Sequence, residues 1–358
     1  MFLTEPRRAP LRRRVWRTAA ALSTPLVPAD YLSLVDPLVG SSGLRARVQE
    51  VHREAAGAAT LVLRPGPGWA GHRAGQWIRL GASIRGVLHW RSYSLTAPPD
   101  PRGLIRVTVV PAGPVSRHLA GAVRPGEVLR LEQAAGAFVL PDPLPDRLLF
   151  VTAGSGITPV VGMLRELASR GPLPDVVLLH SARTRGDVVL GADLRALAAA
   201  SPGLRLVERH TAVAGRLTPA QLPDLVPDWS RRTAWACGPA GLLDALEAHW
   251  QGHGVRALLR TERFAPSLVA LSDASGGTVT FGRTGASARS DGTRPLLEDG
   301  EDAGVLLPSG CRMGICFGCV VPLRSGQVRD VRTGATREAG ELVQTCISTP
   351  VGDVELDV

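Results

Sequence analysis

Cys311-Arg-Met-Gly-Ile-Cys316-Phe-Gly-Cys319 lies near the end of the chain, and Cys346 follows with 26 residues between. The spacing is C-x4-C-x2-C…C. Three thiolates from one tight loop and a fourth from a distant segment are what a [2Fe–2S] cluster needs. Gly310, Gly314 and Gly318 separate the cysteines, so the backbone can turn left-handed and bring N–H groups close to inorganic sulfide. Four of the five cysteines fall in this pattern. A zinc site favours paired C-x2-C knuckles, and two disulfides would need an oxidising compartment. The spacing therefore points to Cys311, Cys316, Cys319 and Cys346 as cluster ligands.

Working outward, 358 residues are too many for one small cluster domain and suggest two or three domains. Forty Gly and 29 Pro are spread along the chain and read as turns. There is no lysine, so all 41 basic residues are arginine. The net charge of +9 does not imply nucleic acid, because the arginines form no stripe and two Tyr and six Phe offer little stacking surface. Charge is uneven. From Ser267 onward there are 8 Arg against 12 Asp and Glu, net −4, which leaves +13 on the rest. An acidic electron-carrying module on a basic body suggests electrostatic docking.

No apolar run is long enough to span a bilayer. Arg7, Arg8, Arg12, Arg13, Arg14 and Arg17 precede a short apolar stretch, but Pro25 and Pro28 interrupt it, which argues against a signal peptide. A cluster protein is expected in the reducing cytoplasm, here with a possible place at the inner face of the membrane. Residues 1–43 have two readings: a short helical extension packed on the next domain, or a basic amphipathic arm making peripheral membrane contact.

From Leu44 the pattern alternates. Leu44–Val48, Ala58–Leu63, Trp77–Leu80, Leu104–Val110 and Val128–Leu131 read as strands of an antiparallel barrel. Arg91-Ser-Tyr-Ser-Leu-Thr96 puts a cation, an aromatic ring and hydroxyls on one strand, a set that can clamp a phosphate and stack on a planar ring. Gly113-Pro-Val-Ser-Arg-His-Leu119 reads as a turn into a helix whose free N–H groups can meet an anion. Gly136-Ala-Phe-Val-Leu-Pro141 is expected to close the barrel.

Arg147–Ala153 is an apolar run suited to a buried parallel strand. Gly154-Ser-Gly-Ile-Thr-Pro159 and a helical pattern follow, making a dinucleotide-binding unit in which Pro159 stands where the third glycine of G-x-G-x-x-G would be. Strands at Val176–His180, Leu204–Val207, Thr233–Cys237 and Ala257–Leu259 alternate with helices at Ala192–Leu197 and Ala240–Trp250, an α/β domain with a parallel sheet. Cys237-Gly-Pro239 ends a strand at the edge where such sheets bind ligands; Cys237 could equally be a small buried core residue. After a linker, Thr278–Phe281 and Ala286–Ser290 read as a hairpin, Pro295–Ala303 as a helix and Val354–Val358 as a final strand, which fits a β-grasp domain.

Taken in order, Arg-x-Tyr-Ser, Gly-x-x-Ser, Gly-x-Gly-x-x-Pro, Cys-Gly-Pro and Glu-x-Phe resemble the ferredoxin–NADP reductase superfamily. The cysteine loop resembles plant-type ferredoxins, and the whole resembles reductase components of oxygenases and desaturases. The resemblance spans about 44–358 and implies a 1–43 extension, a 44–142 FAD-binding β-barrel, a 143–265 NAD(P)-binding α/β domain and a 266–358 [2Fe–2S] ferredoxin-like domain. It implies that Arg91 pairs with a flavin phosphate, that Tyr93 stacks on the isoalloxazine and that Ser94 hydrogen-bonds near N5. Gly113, Val115 and Ser116 would hold the phosphates. Gly154, Gly156, Thr158 and Pro159 would receive the dinucleotide, with Cys237 and Gly238 beside the nicotinamide. Phe264 would cover the flavin with Glu262 close by. FAD is the expected flavin and FMN the alternative. Arg183, with Arg185 after it, sits where a 2′-phosphate would be read, which favours NADPH over NADH. Asp30–Gly40 resembles the extension of reductases serving membrane acyl-CoA desaturases. The expected acceptor is thus a terminal oxygenase, foremost a membrane desaturase. A soluble ring-hydroxylating dioxygenase or a P450 is the alternative, and a non-catalytic redox sensor is the reading from a different class.

Overall fold

The computed structural model describes residues 35–39, 43–84, 87–264, 276–310, 312, 314 and 317–358. Most of the 1–43 extension, and the cysteines at 311 and 316, lie outside the described residues. Three sheets follow one another along the chain.

The first sheet holds β1 (Arg45–Arg53), β2 (Ala59–Pro65), β3 (Trp77–Ile84), β4 (Val87–Ser94), β5 (Ile105–Val109) and β6 (Val128–Leu131) in the order β4-β3-β6-β1-β2-β5. Its pairings are antiparallel. A bridge between Leu95 and Val107 joins the two outer strands, and the Thr96 N–H donates to Arg106 O at 2.9 Å, so the sheet closes into a barrel. Alternate residues point inward as the strand period requires: Ala46, Val48, Leu61, Leu63, Ile78, Leu80, Val107 and Val109 are at most 1% exposed. Helix α1 (Pro114–Gly121) plugs the barrel with Val115 and Leu119.

Gly136–Pro141, expected to close the barrel, forms no strand of it. Trp77 bridges Ala135 instead, and Phe138 and Leu140 turn away to join the core of the next sheet. Gly75 at φ +92 explains the turn: a Cβ there would lie 2.1 Å from Phe138 O, so this glycine lets the two backbones touch.

The second sheet is parallel: β7 (Arg147–Ala153), β8 (Asp175–Ala182), β9 (Leu204–His210), β10 (Thr233–Cys237) and β11 (Leu259–Glu262), ordered β11-β10-β7-β8-β9. Helices α2 (Ile157–Arg170), α3 (Gly191–Ala200) and α4 (Ala240–Gly252) cross over it. Leu148, Leu149, Phe150 and Val151 are all 0% exposed, so β7 is covered on both faces, as its unbroken apolar run requires. The last strand lies two residues later than the sequence suggested. A 3-10 turn occupies Arg256–Leu258, and Glu262 becomes the strand's terminal residue. At the opposite edge the buried Arg232 guanidinium donates to both Asp175 carboxylate oxygens at 2.8 and 2.9 Å and to Asp228 Oδ1 at 2.8 Å.

The third sheet has a β-grasp arrangement. β12 (Gly277–Phe281) and β13 (Ala286–Ser290) form the hairpin, and β12 runs parallel to β17 (Ser348–Leu356). β14 (Val320–Asp330) pairs with β17, β15 (Thr336–Glu338) and β16 (Leu342–Gln344). Helix α5 (Leu296–Asp302) packs Leu296 and Leu297 onto Phe281 and Leu356. Among the described residues no helix is long and apolar enough to cross a membrane.

Candidate functional site

Barrel and parallel sheet meet at a cleft of about 170 Å³. β3 and β4 supply Trp77, Tyr93 and Ser94; the turn into α2 supplies Ser155 and α2 itself Thr158; β11 and the residues just past it supply Glu262 and Phe264. Within it the oxygens Ser92 Oγ, Tyr93 Oη, Ser94 Oγ and Glu262 Oε2 are buried and have no hydrogen-bond partner among the described residues. A buried polar atom without a partner costs about 1–3 kcal/mol, so several converging in one cleft mark a place for a polar ligand. A planar ring system with a hydrogen-bonding edge fits: Tyr93 offers a ring face and the serines offer donors. Burial pushes the Tyr93 hydroxyl well above its ordinary pKa, so it remains a neutral donor.

Glu262 is paired in register with Cys237 on the neighbouring strand, and Cys237 with Thr152 beyond it. Burial raises the Glu262 carboxyl to about 8. Burial first, and Glu262 second, push the Cys237 thiol far up, so it is a neutral thiol. Phe264 is 44% exposed at the mouth, and Arg263 behind it is held by Asp244 at 2.8 Å and Glu247 at 3.0 Å.

The turn after β7 is a 3-10 turn over Gly154–Gly156 with Gly154 at φ +55. A Cβ on Gly156 would stand 2.2 Å from Cys237 O, so the turn lies directly on the Cys237–Gly238 backbone. α2 starts with no side-chain cap, leaving its first N–H groups to meet an anion. Pro159 sits in that first turn, where a missing N–H removes no helical bond, which accounts for the departure from a third glycine. Thr158 Oγ1 donates to Ser155 O at 3.0 Å.

Some expected residues stand elsewhere. Ser116 Oγ accepts from the Ala112 and Gly113 N–H groups at 2.9 Å each and donates to Gly113 O at 3.1 Å, so its hydroxyl caps α1. Val115 belongs to the barrel core. Arg91 does not line the cleft; its guanidinium lies 3.9 Å from Glu301.

Arg183 and Arg185 lie exposed beyond β8. The acid in that turn is already used: Asp187 Oδ2 accepts from Thr184 N at 3.0 Å and Thr184 Oγ1 at 2.6 Å. Sequence reasoning missed the residues that build this loop. Arg195 donates to Arg185 O at 3.2 Å and pairs with Glu208 at 2.9 Å, and Arg209 stands at the end of β9. The rule that ligands meet the carboxyl ends of parallel strands, applied to β9 as well as β8, would have found Arg209, while Arg195 on α3 left no such signal. His180, also missed, shares a hydrogen bond with Thr152 at 2.8 Å, and burial lowers its pKa to about 4, so it is neutral.

In the third sheet Cys319 and Cys346 are buried with their sulfurs 3.2 Å apart, too far for a disulfide and aimed at one place. The hydrogen bond shared with Cys346 is the chief cause that draws Cys319 below an ordinary thiol. Thr345 N and Oγ1 both donate to Cys319 O and fix the pair. Gly314, at φ +72, has Arg332 and Ile347 packed where a Cβ would stand. Two buried, converging sulfurs beside a glycine turn fit a thiolate-bound cluster.

Three family models match in succession: an oxidoreductase FAD-binding domain over residues 60–140, an oxidoreductase NAD-binding domain over 150–248, and a 2Fe-2S iron-sulfur cluster binding domain over 280–351. The chain is 49% identical over 348 residues to the NADPH oxidoreductase of Mycobacterium tuberculosis, covering 96% of this chain and 91% of that one. It is 30% identical to the ferredoxin reductase component of 3-ketosteroid-9-alpha-monooxygenase of Mycolicibacterium smegmatis, covering 89% of this chain and 98% of that one. Phthalate dioxygenase reductase has the same fold, with a TM-score of 0.62 at 21% identity over 88% of this chain and 97% of that one.

Proposed function

Because the chain belongs to the ferredoxin reductase family that carries a 2Fe-2S domain, we propose that it takes electrons from NADPH and delivers them to a membrane acyl-CoA desaturase. It is an NAD(P)H-dependent oxidoreductase with FAD and a [2Fe–2S] cluster, of the kind that serves oxygenase systems. The observation that carries the electron-transfer reading is the single cleft where barrel residues Tyr93 and Ser94 face Thr158, Glu262 and Phe264 of the parallel sheet.

When bound, the flavin converts a two-electron hydride into single electrons and the cluster carries one at a time. The protein's own groups do the rest. Tyr93 gives the flavin a ring face, Ser94 and Ser92 hydrogen-bond its edge, and Phe264 covers it at the mouth, excluding water. Beyond the cleft, Arg91, Gly113 and the remaining N–H groups at the start of α1 would hold its phosphate. Gly154, Gly156, Thr158 and the N-terminus of α2 hold the dinucleotide, while Cys237 and Gly238 border its nicotinamide. Glu262, protonated up to about pH 8, holds a proton beside Cys237. Cys311, Cys316, Cys319 and Cys346 hold the cluster.

NADPH is favoured by Arg183 and Arg185 and by the engagement of Asp187 Oδ2 with Thr184, which ties that carboxylate into its own turn. The desaturase reading is supported by the N-terminal segment. The alignment with the M. tuberculosis NADPH oxidoreductase leaves only 4% of this chain uncovered, fewer residues than the 43 of the arginine-rich extension. The name of the M. smegmatis relative favours a second reading, a monooxygenase as acceptor.

The test compares full-length protein with a form lacking 1–43, both reconstituted with a membrane acyl-CoA desaturase in vesicles. The desaturase reading predicts that desaturation is lost in the shorter form while NADPH-driven cytochrome c reduction is kept. Equal desaturation by both forms contradicts it.

A further inference from the structure

The strand that carries Tyr93 also reaches the cluster region. His89, Arg91 and Tyr93 alternate along β4 and share one of its faces. Arg91 Nη1 donates to Trp90 O at 2.8 Å, and its Nη2 lies 3.9 Å from Glu301 Oε2. Glu301 belongs to α5, in the third sheet's domain, and its Oε1 accepts from Arg312 Nη2. Arg312 directly follows Cys311 in the sequence. The three side chains are 22%, 29% and 20% exposed, so the contact is half-withdrawn from water. Burial chiefly, and Arg312 next, lower Arg91 to about 10, so the two guanidinium groups are close enough to repel. Glu301 is the carboxylate between them.

We propose that Glu301 docks the cluster domain onto the flavin barrel, and so positions the cluster to receive electrons from the flavin. The inference rests on the flavin-to-cluster route proposed above. Arg91 has a planar fork of five N–H donors and can serve a flavin phosphate and Glu301 together. A [2Fe–2S] cluster held by four thiolates would carry net negative charge, and Arg312 adjoins one of its expected ligands, Cys311, in the sequence. The described side chains alternate in sign across the domain boundary: Arg91, Glu301, Arg312. Removing the carboxylate leaves two cations facing each other in a half-buried space, where screening is weak. Glu301 gives up no proton and no electron; it is a positioning residue.

The test uses the full chain loaded with flavin and cluster. Wild type, Glu301→Gln and Glu301→Asp are mixed anaerobically with excess NADPH and followed in the visible. The flavin of Glu301→Gln bleaches at the wild-type rate, while its cluster reduces at least tenfold more slowly; Glu301→Asp recovers part of the rate. Added salt slows cluster reduction in the wild type and not in Glu301→Gln. Small-angle scattering shows a larger radius of gyration for Glu301→Gln, with or without flavin. If Glu301→Gln fails to assemble its cluster, Arg91→Gln at saturating flavin, which alters nothing in the cluster domain, shows the same slow cluster phase and larger radius. Equal cluster-reduction rates and equal radii in wild type and variant overturn the proposal. A wild-type cluster that NADPH never reduces overturns the underlying route instead.

Discussion

Glu262 allows a quantitative test of how the cleft is built. Its carboxyl titrates near 8 in the fold because burial disfavours the charge, against an ordinary value near 4.5 in the unfolded chain. The native state therefore binds this proton more tightly. The stability it contributes is complete below about pH 4.5 and is lost as pH rises through about 8. Between those values the unfolded chain has released the proton and the native chain has not. Stability then falls by about 1.4 kcal/mol per pH unit, roughly 5 kcal/mol in all. Glu262→Gln keeps the shape and removes the titration. Flavin-free wild type and variant are unfolded in urea between about pH 5 and about pH 8, with tryptophan fluorescence as the signal. The wild type should lose several kcal/mol more than the variant over that range. Infrared difference spectra should show a protonated carboxyl band in the wild type at neutral pH that is missing from the variant. Parallel pH profiles for the two proteins, or a band that disappears near the ordinary carboxylate range, would refute the reasoning.

Other outcomes follow from the same geometry. Gly156→Ala places a methyl 2.2 Å from Cys237 O; strain of about 1–3 kcal/mol should raise the KM for NADPH at least tenfold in steady-state assays with ferricyanide while flavin content stays at wild-type level. Arg183→Gln with Arg185→Gln should raise the KM for NADPH about 10- to 100-fold, from the loss of charge-assisted hydrogen bonds, and leave the KM for NADH unchanged. Arg232→Met frees Asp175 and Asp228 from their shared partner and should lower stability by about 2 kcal/mol, measured by urea unfolding. Cys346→Ser should remove the cluster's visible absorbance and cytochrome c reduction while NADPH-driven ferricyanide reduction persists.

The legible parts of the fold were those where chemistry fixes spacing. The parallel strands showed as unbroken apolar runs because both faces are covered, and the glycine turn before α2 showed because only glycine fits against Cys237 O. β14 stayed hidden. Its Val320–Asp330 stretch contains Pro322 and Gly326, both poor strand residues, and the sequence pattern assigns it no element. Register shifts on either side of Ser325 absorb Gly326 at φ +83, Pro322 pairs in register with Leu342, and no local pattern announces such bulges. Phe138 and Leu140 looked like barrel residues because apolar character does not say which of two adjacent cores will take a side chain. In the site, Tyr93, Ser94, Glu262 and Phe264 could be picked out by motif. Their convergence across two sheets could not be seen before the chain was folded, nor could the contact of Arg91 with Glu301, more than 200 residues away.

The central claim is that one chain passes electrons from NADPH through flavin to cluster. It is tested most directly by anaerobic titration of the flavin- and cluster-loaded protein with NADPH and then NADH, followed in the visible. The account predicts that NADPH bleaches the flavin and removes part of the broad cluster absorbance, with NADH needed in large excess for the same change. A flavin and cluster that both stay oxidised under excess of either nucleotide would contradict it.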